Sequence, residues 1–524
     1  MAQSAVPTPA SALQGGSKWA VAVAVALGAL LEVVDTSIVN VALTDMQNTL
    51  GATLSEVSWV VSGYAVANVI VLPLTAWLGD RFGKKTYFIF SLIGFTVASV
   101  MCGMATTLPL LIIARILQGL MGGGLLAKAQ AILFETFPKE EQAMAQAFFG
   151  AIVIAGPAIG PTLGGYLVTN IGWRWIFFVN VPLGILAVFM CLAALPPDSE
   201  HKNTSRVDWT AILMLAVGLG SLQSLLEEGN SEDWFESRLI IALFCSAILS
   251  LAAFVYRELK SPIPVVDLRV LRYRSLWAGS ILSVIVGMAL YGALFAVPIF
   301  AQSIMHYTSE QTGMLLLPSA LASAATMILA GKLIRKVDAR VGLVFGALVL
   351  ISAVMMLSRL SSDTGADDLF WPLIIRAVGT VCMFLPLNMA TLGPIPKQDI
   401  SKASGFFNLT RQLGGSIGVA LLTLLLSQRQ AFHRTVLVEK MASGDPGVVE
   451  RINLLTAGFV AKGAVFFDAQ KQALTALNGA VNREAAVMSF NDTFWATGVL
   501  ILAFLPLVLL LGKVDKNIKV EAGH

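Results

Sequence analysis

The feature that most constrains this chain is a succession of apolar segments, each about 20 residues long, separated by short clusters of charged, glycine or proline residues. Such a segment has the length that an α-helix needs to cross the hydrocarbon core of a bilayer. The composition agrees, since 56% of the residues are hydrophobic and 13% are charged, roughly half the charged fraction that is usual in soluble domains. The sequence therefore predicts an all-α membrane protein and excludes a set of water-soluble domains.

Fourteen segments of the sequence fit this description. They run approximately over residues 19–41, 57–78, 86–104, 108–133, 144–168, 176–195, 209–226, 239–256, 276–305, 313–334, 341–357, 369–392, 404–426 and 490–511. An even number of spans places both ends of the chain on the same side of the membrane.

Basic residues are distributed unevenly between the two sides of this predicted membrane. If the N-terminus is cytoplasmic, most Lys and Arg residues fall in cytoplasmic loops, and the short outer loops contain only Arg174, Arg238 and Arg359. Because cytoplasmic loops carry the excess of basic residues, we expect the tails 1–18 and 513–524 to be cytoplasmic.

One long connection, 427–489, is predicted on the outer side. It is mostly polar, and its segment 464–477 has a pattern compatible with an amphipathic helix. The connection is either a docking surface for an external partner or an ordinary solvated loop.

Two features recur at similar offsets in the first and second parts of the sequence. The turn after the second span, Ala76–Lys85, has a counterpart about 255 residues later, in the turn Gly331–Arg340 after the tenth span. Arg115 in the fourth span has a counterpart in Arg376 in the twelfth. Such repeats indicate two structurally related halves. We expect an N-terminal six-helix bundle at 19–195, two inserted linker helices at 208–257 and a C-terminal six-helix bundle at 275–512.

The distribution of charged and reactive residues argues against several classes of function. A net charge of +3 from 35 basic and 32 acidic residues is too balanced for a nucleic-acid-binding protein. The four cysteines lie in apolar segments without a CxxC pair, and the four histidines are predicted in loops, turns or the tail, so we expect neither an enzyme nor a metal site. No segment has P-loop spacing, so energy must come from an ion gradient or from the substrate. Opposed charges along the pathway disfavour a channel.

The tight turn after the second span carries clustered charges beside a glycine. The residues concerned are Asp80, Arg81, Gly83 and Lys84. Their ion pairs could form in one conformation and break in another, or the turn could serve only as an orientation signal.

The fifth span contains small residues every four positions, interrupted by prolines. The small residues put a smooth stripe on one face of the helix, and the prolines remove backbone hydrogen bonds and favour a kink. The pattern indicates either a close, bent contact that can pivot or a static packing stripe. The residues assigned to it are Gly156, Pro157, Gly160, Pro161, Gly164 and Gly165.

These motifs resemble those of a known family. The Asp80–Lys85 turn is similar to motif A of the major facilitator superfamily, and Arg115-x-x-Gln118-Gly119 is similar to motif B. The segment Gly156–Gly165 resembles motif C, the antiporter signature of drug exporters. Asp35–Leu43 resembles the opening motif of the fourteen-span drug:proton antiporters of the EmrB and QacA type. The resemblance covers nearly the whole chain and implies a major facilitator fold with 14 transmembrane helices, in two six-helix pseudo-symmetric halves plus two inserted helices.

The resemblance also implies a function. It is proton-coupled efflux of hydrophobic or amphipathic small molecules, or multidrug export, by alternating access across the bacterial inner membrane. The proton gradient would replace a cofactor, and in a bacterium with two membranes a periplasmic adaptor of the EmrA type and an outer-membrane channel would be partners. A proton-coupled symporter or an exporter of one specific metabolite is the alternative, although the glycine and proline pattern argues against symport.

Charged residues inside the predicted spans are the sharpest functional signal, because each costs about 2.5–3.5 kcal/mol at the centre of a bilayer. Glu32 and Asp35 are three residues apart in the first span and share one face. Arg115 in the fourth span lies at a matching depth, so it could pair with either carboxylate. We expect these three residues to couple proton uptake to transport. Structural pairing alone is the alternative.

Several further residues are candidates for the substrate cavity. Lys128 could contact an acidic substrate, or it could extend towards the cytoplasmic face. Arg376 and Arg411 could brace helix ends, and the aromatic candidates could equally face the core or the lipid. The residues assigned to the cavity are Lys128, Gln118, Tyr291, Phe295, Asn408 and Arg411.

Overall fold

A computed structural model describes residues 15–198, 207–334, 337–441 and 445–511. These residues form α-helices joined by short turns and 3₁₀ segments, with no β-strand among them. The helices of the first part are α1 Gly15–Ile38, α2 Leu43–Leu50, α3 Leu54–Val71, α4 Thr75–Phe82, α5 Lys84–Met104, α6 Leu108–Gly122, α7 Leu125–Thr136, α8 Lys139–Asn170, α9 Trp175–Phe178 and α10 Asn180–Ala194. Those of the second part are α11 Trp209–Glu228, α12 Arg238–Lys260, α13 Arg274–Ser303, α14 Ser309–Leu333, α15 Ala339–Leu357, α16 Ala366–Leu392, α17 Ile400–Lys440, α18 Pro446–Ala461 and α19 Phe466–Phe504.

The described helices fit the predicted membrane spans. Within the described ranges, 13 helical stretches are long and apolar enough to cross a membrane. A further apolar stretch, Arg274–Ala289, belongs to the 30-residue helix α13 at the position of the ninth predicted span. The chain is therefore a multi-pass membrane protein. The predicted tail 513–524 and residues 1–14 lie outside the described residues, whereas residues 15–18 form the first turn of α1.

The fourth span is broken into α6 and α7 by consecutive glycines. Gly124 has φ +92°, a conformation that favours glycine, and a Cβ added there would lie 2.0 Å from Thr75 Cγ2. The break starts a new helix at Leu125, whose first N–H groups have no partner within the helix. It thus exposes backbone donors in the middle of a span.

Helix α8, the fifth span, lies between α1 and α14, and its small residues allow both helices to pack closely against it. A Cβ added at Gly160 would lie 1.9 Å from Ser37 Oγ on α1, so only glycine allows this approach. On another side of α8, a Cβ added to Gly165 would lie 2.9 Å from the backbone nitrogen of Glu310 on α14. Pro157 and Pro161 lie inside this helix, which continues through both. The stripe therefore joins the early helices of the chain to the late ones.

The outer connection differs from the sequence expectation of a loop at 427–489. Helix α17 continues to Lys440, α18 follows, and α19 begins at Phe466. Polar contacts hold the extensions together, since Asp492 accepts from Arg429 Nε at 2.5 Å and contacts His433 Nε2 at 2.7 Å. The helices continue beyond the apolar segments because ion pairs and hydrogen bonds between α17 and α19 stabilise them there.

Candidate functional site

A buried ion pair joins the first and fourth spans. The Nη1 atom of Arg115 on α6 lies 2.6 Å from Oδ2 of Asp35 on α1, and both side chains are almost completely buried. A pair of this kind is stable in a low-dielectric setting only if its remaining polar atoms are also satisfied. The structure thus places Arg115 against Asp35, one of the two carboxylates that the sequence left open.

Neutral side chains complete the surroundings of this pair. The second oxygen of Asp35, Oδ1, accepts hydrogen bonds from Gln118 Nε2 at 2.9 Å and from Asn180 Nδ2 at 2.8 Å. Arg115 Nε donates to the backbone oxygen of Val60 at 2.9 Å, and its guanidinium stacks over the Tyr64 ring at 4.4 Å. Each charge is therefore held by several partners from α3, α6 and α10.

Glu32 lies one turn before Asp35 on α1 but has different surroundings. Its Oε1 accepts from Asn68 Nδ2 at 2.8 Å, and its Oε2 accepts from the backbone N–H of Leu126 at 2.8 Å. That N–H is one of the free donors at the start of α7, where the helix dipole also favours a negative charge. The glycine break in the fourth span thus creates a binding position for the carboxylate.

Glu32 borders a central cavity of about 220 Å³ between the early and late helices. The early helices α1, α3, α6, α7 and α8 line it together with the late helices α14, α16 and α17. Most of the lining is apolar, with hydroxyl and amide groups between the apolar side chains. Residues that line it include Thr36, Asn68, Val153, Leu316, Ser319, Ser323, Thr380, Phe384 and Gln412. Such a cavity suits an amphipathic ligand.

Two arginines of the late helices also line this cavity. Arg376 of α16 and Arg411 of α17 both border it and are 5% and 6% exposed. Arg411 donates to Asn408 and stacks over the Phe384 ring at 5.2 Å. The charged residues of the lining are therefore the carboxylate Glu32, these two arginines and Arg115, which pairs with Asp35.

Other residues assigned to the cavity by sequence lie elsewhere. Gln118 binds the Asp35–Arg115 pair, and Asn408 donates to Gln130 at 2.8 Å, below the cavity. Phe295 lines a separate cavity between α13, α17 and α19. The Tyr291 side chain lies outside the described part of the chain.

Lys128 also lies away from the central cavity. Its Nζ lies 3.2 Å from the centroid of the Tyr87 ring, and a Cβ at Gly79 would come within 2.9 Å of it. The side chain therefore extends towards the charged turn that follows the second span.

The charged turn lies where early and late helices meet. Lys84 Nζ pairs with Glu135 Oε1 at 2.7 Å, and Lys397 Nζ donates to the backbone oxygen of Glu135 at 2.8 Å. Gly83 has φ +94° and packs against Asp198, which accepts from the backbone N–H of Lys85 at 2.7 Å. Asp80 borders a surface pocket at this turn, and Arg81 lies over the Trp77 ring at 5.6 Å.

A layer of hydrogen bonds closes the cavity on the side of this turn. Ser404 Oγ donates to the backbone oxygen of Ala127 at 2.7 Å, and Asn408 Nδ2 donates to Gln130 Oε1 at 2.8 Å. Gln130 Nε2 in turn donates to Asn388 Oδ1 at 3.1 Å. Helix α7 is thereby tied to α16 and α17.

Sequence reasoning included Gln118 but missed Asn68 and Asn180, the other two amides that hold the carboxylates. Asn68 and Asn180 each lie in or beside an apolar stretch, and an amide in such a place is a signal of a buried hydrogen bond. The side chain of Leu126 gave no indication of this contact, because Leu126 binds Glu32 through its backbone N–H. The run Gly122–Gly124 in an apolar span was the available clue to the helix break.

Comparison with known sequences places these features in a family. Residues 25–419 match the family model described as Major Facilitator Superfamily. The chain is 31% identical over 499 residues to the Multidrug export protein EmrB of Escherichia coli (strain K12), covering 95% of this chain and 96% of that protein. It is 30% identical over 502 residues to the Fatty acid resistance protein FarB of Neisseria gonorrhoeae, covering 95% and 97%.

Solved structures agree in fold. The proton:xylose symporter XylE aligns with a TM-score of 0.58 at 11% identity, over 95% of this chain and 100% of that chain. A bacterial homologue of the human lysosomal transporter Spinster, in an inward-facing conformation, aligns with a TM-score of 0.54 at 16% identity, over 95% and 98%. At such identities the likeness concerns the fold alone. From the sequence match and this fold, the chain belongs to the Major Facilitator Superfamily of membrane transporters.

Proposed function

We propose that this chain is a proton-driven exporter of hydrophobic and amphipathic small molecules, working by alternating access. Membership of a transporter family makes it a transporter and not an enzyme. Near-complete alignment with proteins named for multidrug export and for fatty acid resistance supports export as the direction. Coupling to protons is the mechanism that the buried carboxylates support.

The observation that carries the proposal is the position of Glu32. It borders the central cavity, so a ligand or a proton can reach it, and its described hydrogen bonds come from neutral donors. Asp35, by contrast, is 0% exposed and already paired with Arg115. Glu32 is therefore the carboxylate that we assign to proton exchange, while Asp35 and Arg115 hold the first and fourth spans together beside it.

Protonation of Glu32 would change how the helices are held. A carboxylate accepts hydrogen bonds at both oxygens, whereas a protonated carboxyl turns one oxygen into a donor. Both described partners, Asn68 Nδ2 and the Leu126 N–H, are donors and cannot accept that proton. Proton uptake thus weakens at least one tie between α1 and the helices α3 and α7. This loosening is the step that links a proton to helix rearrangement.

Alternating access requires a closed side that can open. The bonds of Gln130 and Ser404 tie α7 to α16 and α17 on the side of the charged turn, which we assign to the cytoplasm. This conformer is then closed towards the cytoplasm. If these hydrogen bonds break while the close contact between α8 and α14 remains, the cavity opens towards the cytoplasm.

We assign the chain to the bacterial inner membrane with both termini cytoplasmic, in two six-helix halves at 19–195 and 275–512 with linker helices at 208–257. The basic-residue asymmetry supports this orientation. Helix α18 and the extensions of α17 and α19 then project on the outer side. They offer a surface for a periplasmic adaptor of the EmrA type, which would lead to an outer-membrane channel.

Transport by purified protein in sealed liposomes tests the proposal. A cationic fluorescent dye should move against its gradient only when a pH difference is imposed, in the direction opposite to the protons. Movement of dye and protons in the same direction would indicate a symporter instead. Glu32→Gln should abolish the dependence on the pH difference, whereas Glu140→Gln, at the exposed start of α8, should behave like the wild type. Unchanged coupling in the Glu32 variant would refute its assigned role.

A further inference from the structure

Arg376 is a buried cation without a described partner. It is 5% exposed, it borders the central cavity, and its Nε is buried without a hydrogen-bond partner. Among the ion pairs of the described residues, none includes Arg376. A buried charge is costly unless an opposite charge or hydrogen bonds compensate it. We therefore expect this guanidinium to bind an anionic group of a ligand.

The repeat in the sequence accounts for the lack of an ion-pair partner for Arg376 among the described residues. Its counterpart Arg115, 261 residues earlier, pairs with Asp35 on α1. The same offset from Asp35 leads to Ala296 on α13, and α13 contains no acidic residue. The second half thus has a counterpart of the arginine but none of the carboxylate.

The lining of the cavity contains both signs of charge. Arg376 on α16 and Arg411 on α17 both line it, and Arg411 also contacts Asn408 and Phe384. Glu32 on α1 lines the same cavity. The charge of Arg115 is already balanced by Asp35. A ligand that matches this arrangement carries an acidic group at one end of its polar part and a basic group at the other.

We propose that the preferred substrates are zwitterionic amphipathic molecules, whose acidic group binds Arg376 and Arg411 and whose ammonium group binds Glu32. Guanidinium groups recognise carboxylate, sulfonate and phosphate oxygens with paired hydrogen bonds. The apolar part of the ligand lies against Leu316, Val153 and Phe384. This assignment rests on the proposed function and specifies its substrate class.

The charge arrangement fits proton antiport for such ligands. An ammonium group and a proton compete for the Glu32 carboxylate, so binding of the ligand displaces the proton. The acidic group contributes affinity at the arginines without competing with the proton. A purely cationic ligand still competes with the proton but lacks the contact with the arginines. A purely anionic ligand binds beside the Glu32 carboxylate and is repelled by it.

Three fluorescent probes with one body and different charges test the assignment. Nε-dansyl-lysine is zwitterionic, dansylcadaverine lacks its carboxylate, and 6-(dansylamino)hexanoic acid lacks its amine. We expect purified wild-type protein to bind the zwitterion most tightly. Arg376→Gln should weaken binding of the zwitterion about tenfold or more, while leaving dansylcadaverine binding unchanged. Arg376→Lys should restore part of the loss. Arg359→Gln, an exposed arginine at the end of α15, is the matched control.

Unchanged binding of the zwitterion in the Arg376→Gln variant would overturn the proposal, as would equal loss for zwitterion and dansylcadaverine. Persisting dansylcadaverine binding in the variant shows that it is folded. If the probes fail in this way while wild-type liposomes still move a dye with a pH difference, the substrate class is wrong and the export function stands. If no dye moves, the export function itself fails.

Discussion

The buried pair Asp35–Arg115 should be a main determinant of stability in the first half of the chain. Replacement of Asp35 by Asn leaves Arg115, which is 1% exposed, without a counter-ion. Loss of one member of a buried pair typically costs about 3–5 kcal/mol. The new amide also turns one oxygen into a donor. It therefore cannot accept from Arg115 on one side while accepting from Gln118 and Asn180 on the other.

A double variant separates the charge effect from lost packing. Asp35→Asn combined with Arg115→Gln removes both charges and leaves amides that can bond to each other. We expect it to lose only about 1–2 kcal/mol, less than either single variant. Unfolding by SDS in mixed micelles measures these free energies. The control is the pair Asp208–Arg257, in which hydrogen bonds from Arg257 lower the pKa of Asp208 and the two side chains are 22% and 43% exposed.

Asp208→Asn should change the unfolding free energy little, since an exposed pair is screened by solvent. The reasoning is refuted if the single variants at the buried pair are as stable as the wild type. It is refuted equally if the double variant loses the full sum of the two single losses, because the two charges would then act independently.

Two further perturbations address helix packing and the closed side. Gly160→Leu should separate α8 from α1, because even a Cβ would lie 1.9 Å from Ser37 Oγ; wild-type transport in liposomes would contradict this contact. Gln130→Leu removes three hydrogen bonds to the late helices, with Asn388, Asn408 and Ser404, worth about 1 kcal/mol each, and should shift the population about tenfold or more towards the form open at that side. In a cysteine-free background, disulfide cross-linking of Glu135→Cys with Lys397→Cys should then decrease, and unchanged cross-linking would argue against the closing role.

Much of the fold follows from segment length and hydropathy, because a bilayer demands helices of a fixed length whose backbone groups are paired internally. These demands do not apply outside the apolar segments, so hydropathy does not predict how far a helix continues there. The thirteenth span was predicted to end at residue 426, but α17 continues to Lys440. Beyond the apolar part its stability comes from pairs such as Arg429–Asp492, which are distant in sequence. Only the folded chain brings them together.

The candidate site was predictable as a set of charges but not as a geometry. Depth alone allowed Arg115 to approach either Glu32 or Asp35, since the two carboxylates differ by one helical turn. The choice depends on Asn180, which approaches Asp35 from a helix 145 residues away, and on the N–H of Leu126, which holds Glu32. A backbone donor at a glycine-made helix break leaves no pattern in side-chain polarity.

The central claim is that a ligand in the cavity exchanges for a proton at Glu32. Its most direct test is the proton release that follows addition of dansylcadaverine to purified protein in weakly buffered detergent solution. We expect the wild type to release protons as the ligand saturates the cavity, and the Glu32→Gln variant to bind the ligand more weakly and to release no protons even at saturating ligand. Release that is undiminished in the variant, or binding by the wild type without release, would contradict the account.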